Sequence, residues 1–172
     1  MPEVKITRCA IVLLWATLNL MSCSVEEVNR FHSEDQNPKS GRVAILEDNG
    51  TSCWLYLTAP RERELEKGCL VYSAVEPTST LNVEALGHSG ETPMLSREFA
   101  SGTAIISGAK AENFTFEWSQ DGDSVCVVYR GNPKTMLVGE SEDGFSKAIA
   151  KEGLFGKPWD QSVYTQTFST TR

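Results

Sequence analysis

Apolar and polar positions alternate along most of this chain, and the alternation predicts strands. Residues 42–48 carry Val43, Ala44, Ile45 and Leu46 and run into Asp48-Asn49-Gly50-Thr51, where Asn-Gly between β-rich runs signals a tight hairpin. Residues 53–58 supply the partner strand. Both runs are apolar at successive positions, which predicts cover on both faces. Residues 59–68 break the pattern, and Pro60 near the start with Gly68 at the end predicts one or two helical turns. Residues 69–74 resume as a strand. Residues 80–86 alternate, with Leu81 and Val83 against Asn82 and Glu84. A long Gly- and Ser-containing loop over 87–102, with weak strand character from Met94 to Phe99, precedes a short buried strand at 101–107. Residues 113–118 alternate best, setting Phe114, Phe116 and Trp118 on one face and Thr115 and Glu117 on the other. Asp121-Gly122 is the tip of a second hairpin into residues 125–129, and a turn over 131–134 leads to residues 135–139. Asp143 is placed to cap a helix over 144–152, with Phe145, Ala148 and Ile149 on one face and Gly153 as its stop. Residues 162–168 predict a last edge strand. Short strands separated by turn signals, with one late helix, predict a mainly β fold: an antiparallel β-sandwich or a small barrel.

The first two dozen residues follow another order. Lys5 and Arg8 precede an apolar run over 10–20, which closes on Leu20-Met21-Ser22-Cys23. A positive flank, a short apolar run and small residues are the layout of an export signal. As a helix the run falls short of the ~30 Å hydrocarbon core of a bilayer, so it predicts a signal rather than a membrane span. Leu20–Cys23 resembles the lipobox of bacterial lipoproteins, with Met21 where a small or β-branched residue is usual. The resemblance implies that Cys23 is diacylated and becomes the first mature residue. It places the chain on the periplasmic side of a bacterial membrane, and Ser24 in place of Asp favours the outer membrane. Two or three acyl chains, at about 0.8 kcal/mol per buried CH₂, hold such a protein firmly. The domain reading is then a signal peptide over 1–22, a lipidated cysteine and flexible polar tether over 23–41, and a single β-rich domain over 42–172. The alternative is an ordinary signal cut after Ser24. That would be a secreted eukaryotic domain, glycosylated at Asn49-Gly50-Thr51 or Asn113-Phe114-Thr115.

Charge narrows the partners. The chain carries a formal charge of −7, which suits neither the phosphates of nucleic acid nor the basic stripe needed to read them. A basic protein is the better electrostatic match. Cys53, Cys69 and Cys126 remain beyond the signal. An oxidising compartment permits one disulfide among them. A Cys53–Cys69 bridge would contribute about 3 kcal/mol in the chain-entropy picture, Cys126 is the alternative partner for either, and three buried thiols are the remaining arrangement.

Catalytic chemistry is sparse. His32 falls in the expected tether. Gly87-His88-Ser89-Gly90-Glu91 lacks the last glycine of a nucleophile elbow and the strand-to-helix setting that motif needs. There is no Cys-x-x-Cys and no pair of histidines at ligand spacing. Asp121 and Asp123 read as turn residues, and Glu140, Glu142 and Asp143 as charge suited to a helix start. The expectation is therefore a non-enzymatic protein with no catalytic residues, cofactor or metal, anchored to a membrane by lipid and binding a basic protein partner. In general character it resembles the small periplasmic lipoproteins that act as immunity proteins or inhibitors. Loops 59–68 and 87–102 are the expected contact surfaces, with Arg61, Glu62, Glu64, Glu66, His88 and Glu91 as contact residues. A structural or assembly lipoprotein of an envelope complex is the alternative.

Overall fold

A computed structural model describes residues 30–79 and 93–169. Four strands form the first sheet in simple sequence order: β1 (Phe31–Gln36), β2 (Val43–Asp48), β3 (Ser52–Thr58) and β4 (Leu65–Ser73). After a 3-10 turn at Ala111–Asn113 come β5 (Phe114–Trp118), β6 (Val125–Tyr129), β7 (Asn132–Leu137), β8 (Phe145–Ser146) and β9 (Lys157–Pro158), which build the second sheet in the same sequential order. All neighbours are antiparallel except β8 and β9. One α-helix among the described residues, α1 (Gln161–Phe168), follows. Neither sheet closes on itself, so among the described residues the fold is a sandwich and not a barrel.

The two sheets meet where β3 and β4 lie against β7 and β8. Period-two alternation decides what fills the space between them. Ala44 and Leu46 of β2, Leu55 and Leu57 of β3, Val71 and Tyr72 of β4, and Val125 and Val127 of β6 are all buried in one cluster. Phe114, Phe116 and Trp118 join it from β5, as their alternation predicts. Tyr72 stacks on Phe114 with ring centroids 5.9 Å apart, joining the sheets through an aromatic pair. Its hydroxyl donates to the buried Asp48 carboxylate, which also accepts from Gly50 N. Burial pushes the Tyr72 hydroxyl well above its ordinary pKa, which keeps it a donor.

Several expectations are corrected. Residues 31–36 are not tether: they form β1, whose backbone completes the open edge of β2, and Phe31 packs on Phe114 at 5.6 Å. Residues 59–64 are a loop rather than helical turns, and β4 begins at Leu65. Residues 101–107 form no full strand and join the first sheet through a single bridge, Ser73 N donating to Ala104 O and Ile106 N to Ser73 O, with Ala104 buried in the core. The helix expected over 144–152 is absent. Gly144 lies so close to Cys69 and Leu137 that a Cβ there would come within 2.5 Å of both, and the chain runs on extended to pair with β7. The helix forms instead over 161–168, where an edge strand was expected. Asp160 caps it by accepting from Ser162 N and Val163 N, and Val163, Tyr164 and Phe168 line one face. That face packs on Cys126, Met136 and Phe145 on the outer side of the second sheet.

No disulfide forms. Cys53, Cys69 and Cys126 are buried free thiols. Cys53 stands opposite Tyr72 and Cys69 opposite Leu55, an offset of about 7 Å along the strands on top of the ~5 Å between them. That exceeds the reach of a disulfide, about 7 Å between Cα atoms. Cys126 belongs to the cluster under α1, on the far side of the second sheet. Residues 80–86, His88 and Glu91, with the signal, Cys23 and residues 24–29 of the expected tether, lie outside the described residues.

Candidate functional site

Four connections converge at one end of the sandwich. The turn between β1 and β2 is tied to the β5–β6 hairpin, Lys39 Nζ donating to Gln120 O at 2.9 Å and Ser40 Oγ to Gly122 O at 2.8 Å. Between these turns and the β3–β4 loop sits Arg42, buried at 7% exposure. Its guanidinium donates to Glu66, to Asp123 at 3.2 Å and to Thr58 O at 2.8 Å. Burial opposes that charge, but the hydrogen bonds to Glu66 and Asp123 outweigh it and hold the guanidinium above its ordinary pKa. The bond from Arg42 in turn holds the Glu66 carboxyl below the usual range. Lys67, whose side chain is 6% exposed, donates to Val138 O, Gly139 O and Ser141 O at 3.1, 3.1 and 2.7 Å. Two cations of this end are thus turned inward and held.

What remains on the outside is mostly acidic. A cleft of about 580 Å³ is lined by Lys39, Arg42, Asp121, Asp123 and Glu140, among others. Asp121 accepts from the Ser119 hydroxyl, which holds its carboxyl below the ordinary value. Glu62, Glu64, Glu140 and Glu142 are exposed around it and have no ion pair among the described residues. The exposed cations nearby are Lys39, Arg61 and Arg63, the last of them 3.6 Å from Glu34. Arg61 holds a left-handed backbone, with φ of 60°, at the tip of the β3–β4 loop.

A second concavity, of about 650 Å³, crosses the outer face of the first sheet. The antiparallel register lines up His32, Glu47 and Trp54 in one row and Glu34, Ile45, Tyr56 and Gly68 in the next. The Trp54 and Tyr56 rings lie nearly parallel, 12° apart with centroids at 6.2 Å. Leu65 and Met94 border them at 54% and 41% exposure.

The chain matches no family model, no curated protein and no solved structure.

Of the contact residues expected from sequence, Arg61, Glu62 and Glu64 stand on an exposed loop at the acidic end, while Glu66 belongs to β4 and is committed to Arg42. Arg42, Asp123 and Glu140 were not expected there. Only the topology brings the β5–β6 and β7–β8 connections to the β3–β4 loop, and strand alternation holds no signal for that. The Glu47, Trp54 and Tyr56 rows had a signal in principle, an aromatic at every second position of β3, but the apolar run around them read as core. Among the described residues, no group of His, Cys, Asp and Glu is arranged to hold a metal. His32 is exposed and pairs with Glu34 at 2.9 Å.

Proposed function

We propose that this chain is a lipid-anchored extracytoplasmic binding protein whose acidic end covers a basic surface of a partner protein, in the manner of an immunity or inhibitor lipoprotein. One observation carries the reading. Four connections are drawn together at one end, their buried cations Arg42 and Lys67 are neutralised within, and unpaired carboxylates point outward. Such a surface attracts a basic partner over distance and speeds association at low salt. It is fixed to the sandwich through β2, β4, β6 and β7, so little ordering is needed on binding. The lipobox-like Leu20–Cys23 supports placement at the membrane.

The test uses the full-length protein, extracted in detergent, as bait against a bacterial envelope extract. The expected result is a specific basic partner, released as salt is raised and weakened at least tenfold by joint Glu62→Gln, Glu64→Gln and Glu140→Gln. The same preparation should carry diacylglycerol on an N-terminal Cys23 by mass spectrometry. A partner indifferent to these charges, or an N-terminus that still holds residues 1–22, overturns the proposal.

A further inference from the structure

The groove on the outer face of the first sheet has a construction that selects a ligand. Tyr56 stands opposite Gly68, and a Cβ on that glycine would come within 2.7 Å of the Tyr56 ring. The glycine therefore lets the ring lie flat on β4 and present its other face to the groove. Trp54, 7% exposed and 6.2 Å from Phe155, sets its ring nearly parallel to that of Tyr56. Glu47 faces Trp54 across the strand pair and is exposed. Among the described residues its carboxylate has neither an ion pair nor a side-chain hydrogen bond. A flat aromatic surface beside an unpaired carboxylate suits one kind of group above others.

We propose that this groove binds an arginine side chain of a polypeptide, the guanidinium stacking on Tyr56 and the Trp54 edge while Glu47 accepts its paired N–H groups. A guanidinium is planar and weakly hydrated, it stacks on aromatic faces, and its fork matches a carboxylate in two parallel bonds. An ammonium offers a point charge without the fork. An anion meets Glu47. A volume of about 650 Å³ exceeds one side chain and leaves room for the neighbouring residues of an extended segment, with Ile45, Leu65 and Met94 as its apolar borders. The groove's own basic side chains are Arg30 and His32. His32 is engaged with Glu34, whereas Arg30 stands at the rim and opposes the incoming charge. The source of the arginine rests on the basic-partner reading above; the groove chemistry does not.

The probe is acetyl-Ala-Arg-Ala-amide, titrated into the full-length ¹⁵N-labelled protein in detergent micelles, with the Trp54 indole N–H as reporter. Saturable shifts are expected, with the lysine peptide at least fivefold weaker and the citrulline peptide, planar but uncharged, at least tenfold weaker. Glu47→Gln should cost about tenfold with an unchanged melting temperature, Tyr56→Ala should cost as much, and Arg30→Gln should strengthen binding. Flat titrations, or equal response to arginine and citrulline peptides, overturn the proposal without recourse to any variant. So does a response to cellotriose that Glu47→Gln leaves intact, since a sugar needs the platform but not the charge. Glu140→Gln should leave the peptide titration unchanged. Flat titrations beside intact, charge-dependent partner capture sink the groove alone, and the reverse pattern sinks only the acidic end.

Discussion

At the scale of single residues, the thiols show how far environment overrides residue type. Burial pushes Cys53 well above its ordinary pKa, with the Asp48 charge adding to the effect, and it raises Cys69 and Cys126 likewise. A thiol reacts as its thiolate, so these three should be inert in the folded chain. Treatment with iodoacetamide at pH 8 should leave Cys53, Cys69 and Cys126 unmodified until denaturant is added, as read by peptide mapping. A Cys53–Cys69 bridge in non-reduced digests would contradict the strand register. Tyr56 is a different case: burial first, and Glu47 second, push its hydroxyl up to about 12. The ring therefore faces the groove uncharged across the working pH range.

Among elements, α1 is the most informative, because its sequence argues for two structures. Val163, Tyr164, Thr165 and Thr167 favour a strand by propensity. Asp160 and the spacing of Val163, Tyr164 and Phe168 favour a helix, and the helix wins because its apolar side finds Met136 and Cys126 uncovered on the outer face of the second sheet. Tyr164 adds a bond to Glu117 at 2.9 Å. Phe168, 2% exposed, anchors the last turn. Phe168→Ala should cost about 3 kcal/mol in urea unfolding, and hydrogen exchange should show the amides of 163–168 losing more protection than those of β2 and β3. A uniform loss across the molecule would show that the helix is not the element Phe168 secures.

The elements that sequence did reveal are those whose pattern is local. The Asn49-Gly50 and Asp121-Gly122 hairpins and the Phe114, Phe116 and Trp118 face follow from turn chemistry and alternation within a few residues. The Gly144 segment does not. Its apolar spacing fits a helix, and the close approach to Leu137 and to Cys69, far away in sequence, forces it extended. The same limit hid most of the candidate surfaces. Glu62 and Glu64 were legible as exposed charge on a pattern-breaking loop, but Arg42 reaches Asp123 across 81 residues of chain, and Glu47 meets Trp54 only through the β2–β3 register.

For the molecule as a whole, the Arg42 site fastens the two sheets at the acidic end. Removing the buried guanidinium leaves the Thr58 carbonyl without its donor while Glu66 and Asp123 turn to solvent, so Arg42→Ala should cost about 2 kcal/mol. Glu66→Gln should cost less, about 1 kcal/mol at neutral pH, because that carboxylate is 36% exposed and screened by solvent. The pH dependence follows from the direction of its shift. Glu66 titrates lower in the folded chain than in the unfolded one, so its contribution is full above the unfolded value, about 4.3. It fades as the pH falls through the folded value. Denaturation curves for the wild type and Glu66→Gln should therefore converge as the pH falls below about 4.3. A constant gap across that range would show that the carboxylate charge does not carry the effect.

The two borders of the first sheet are treated differently. The far side of β4 is occupied by Phe155, Ala104 and Ile106 through backbone bonds, whereas β1 pairs only with β2 among the described residues. On that free strand stand Glu34 and Asp35, the latter accepting from the Trp118 indole at 2.7 Å. Two copies approaching border to border would have to part Glu34 from His32 and Arg63, and Asp35 from Trp118, or oppose their charged side chains before any ladder could form. A charged border of this kind discourages strand-to-strand addition of one copy to another.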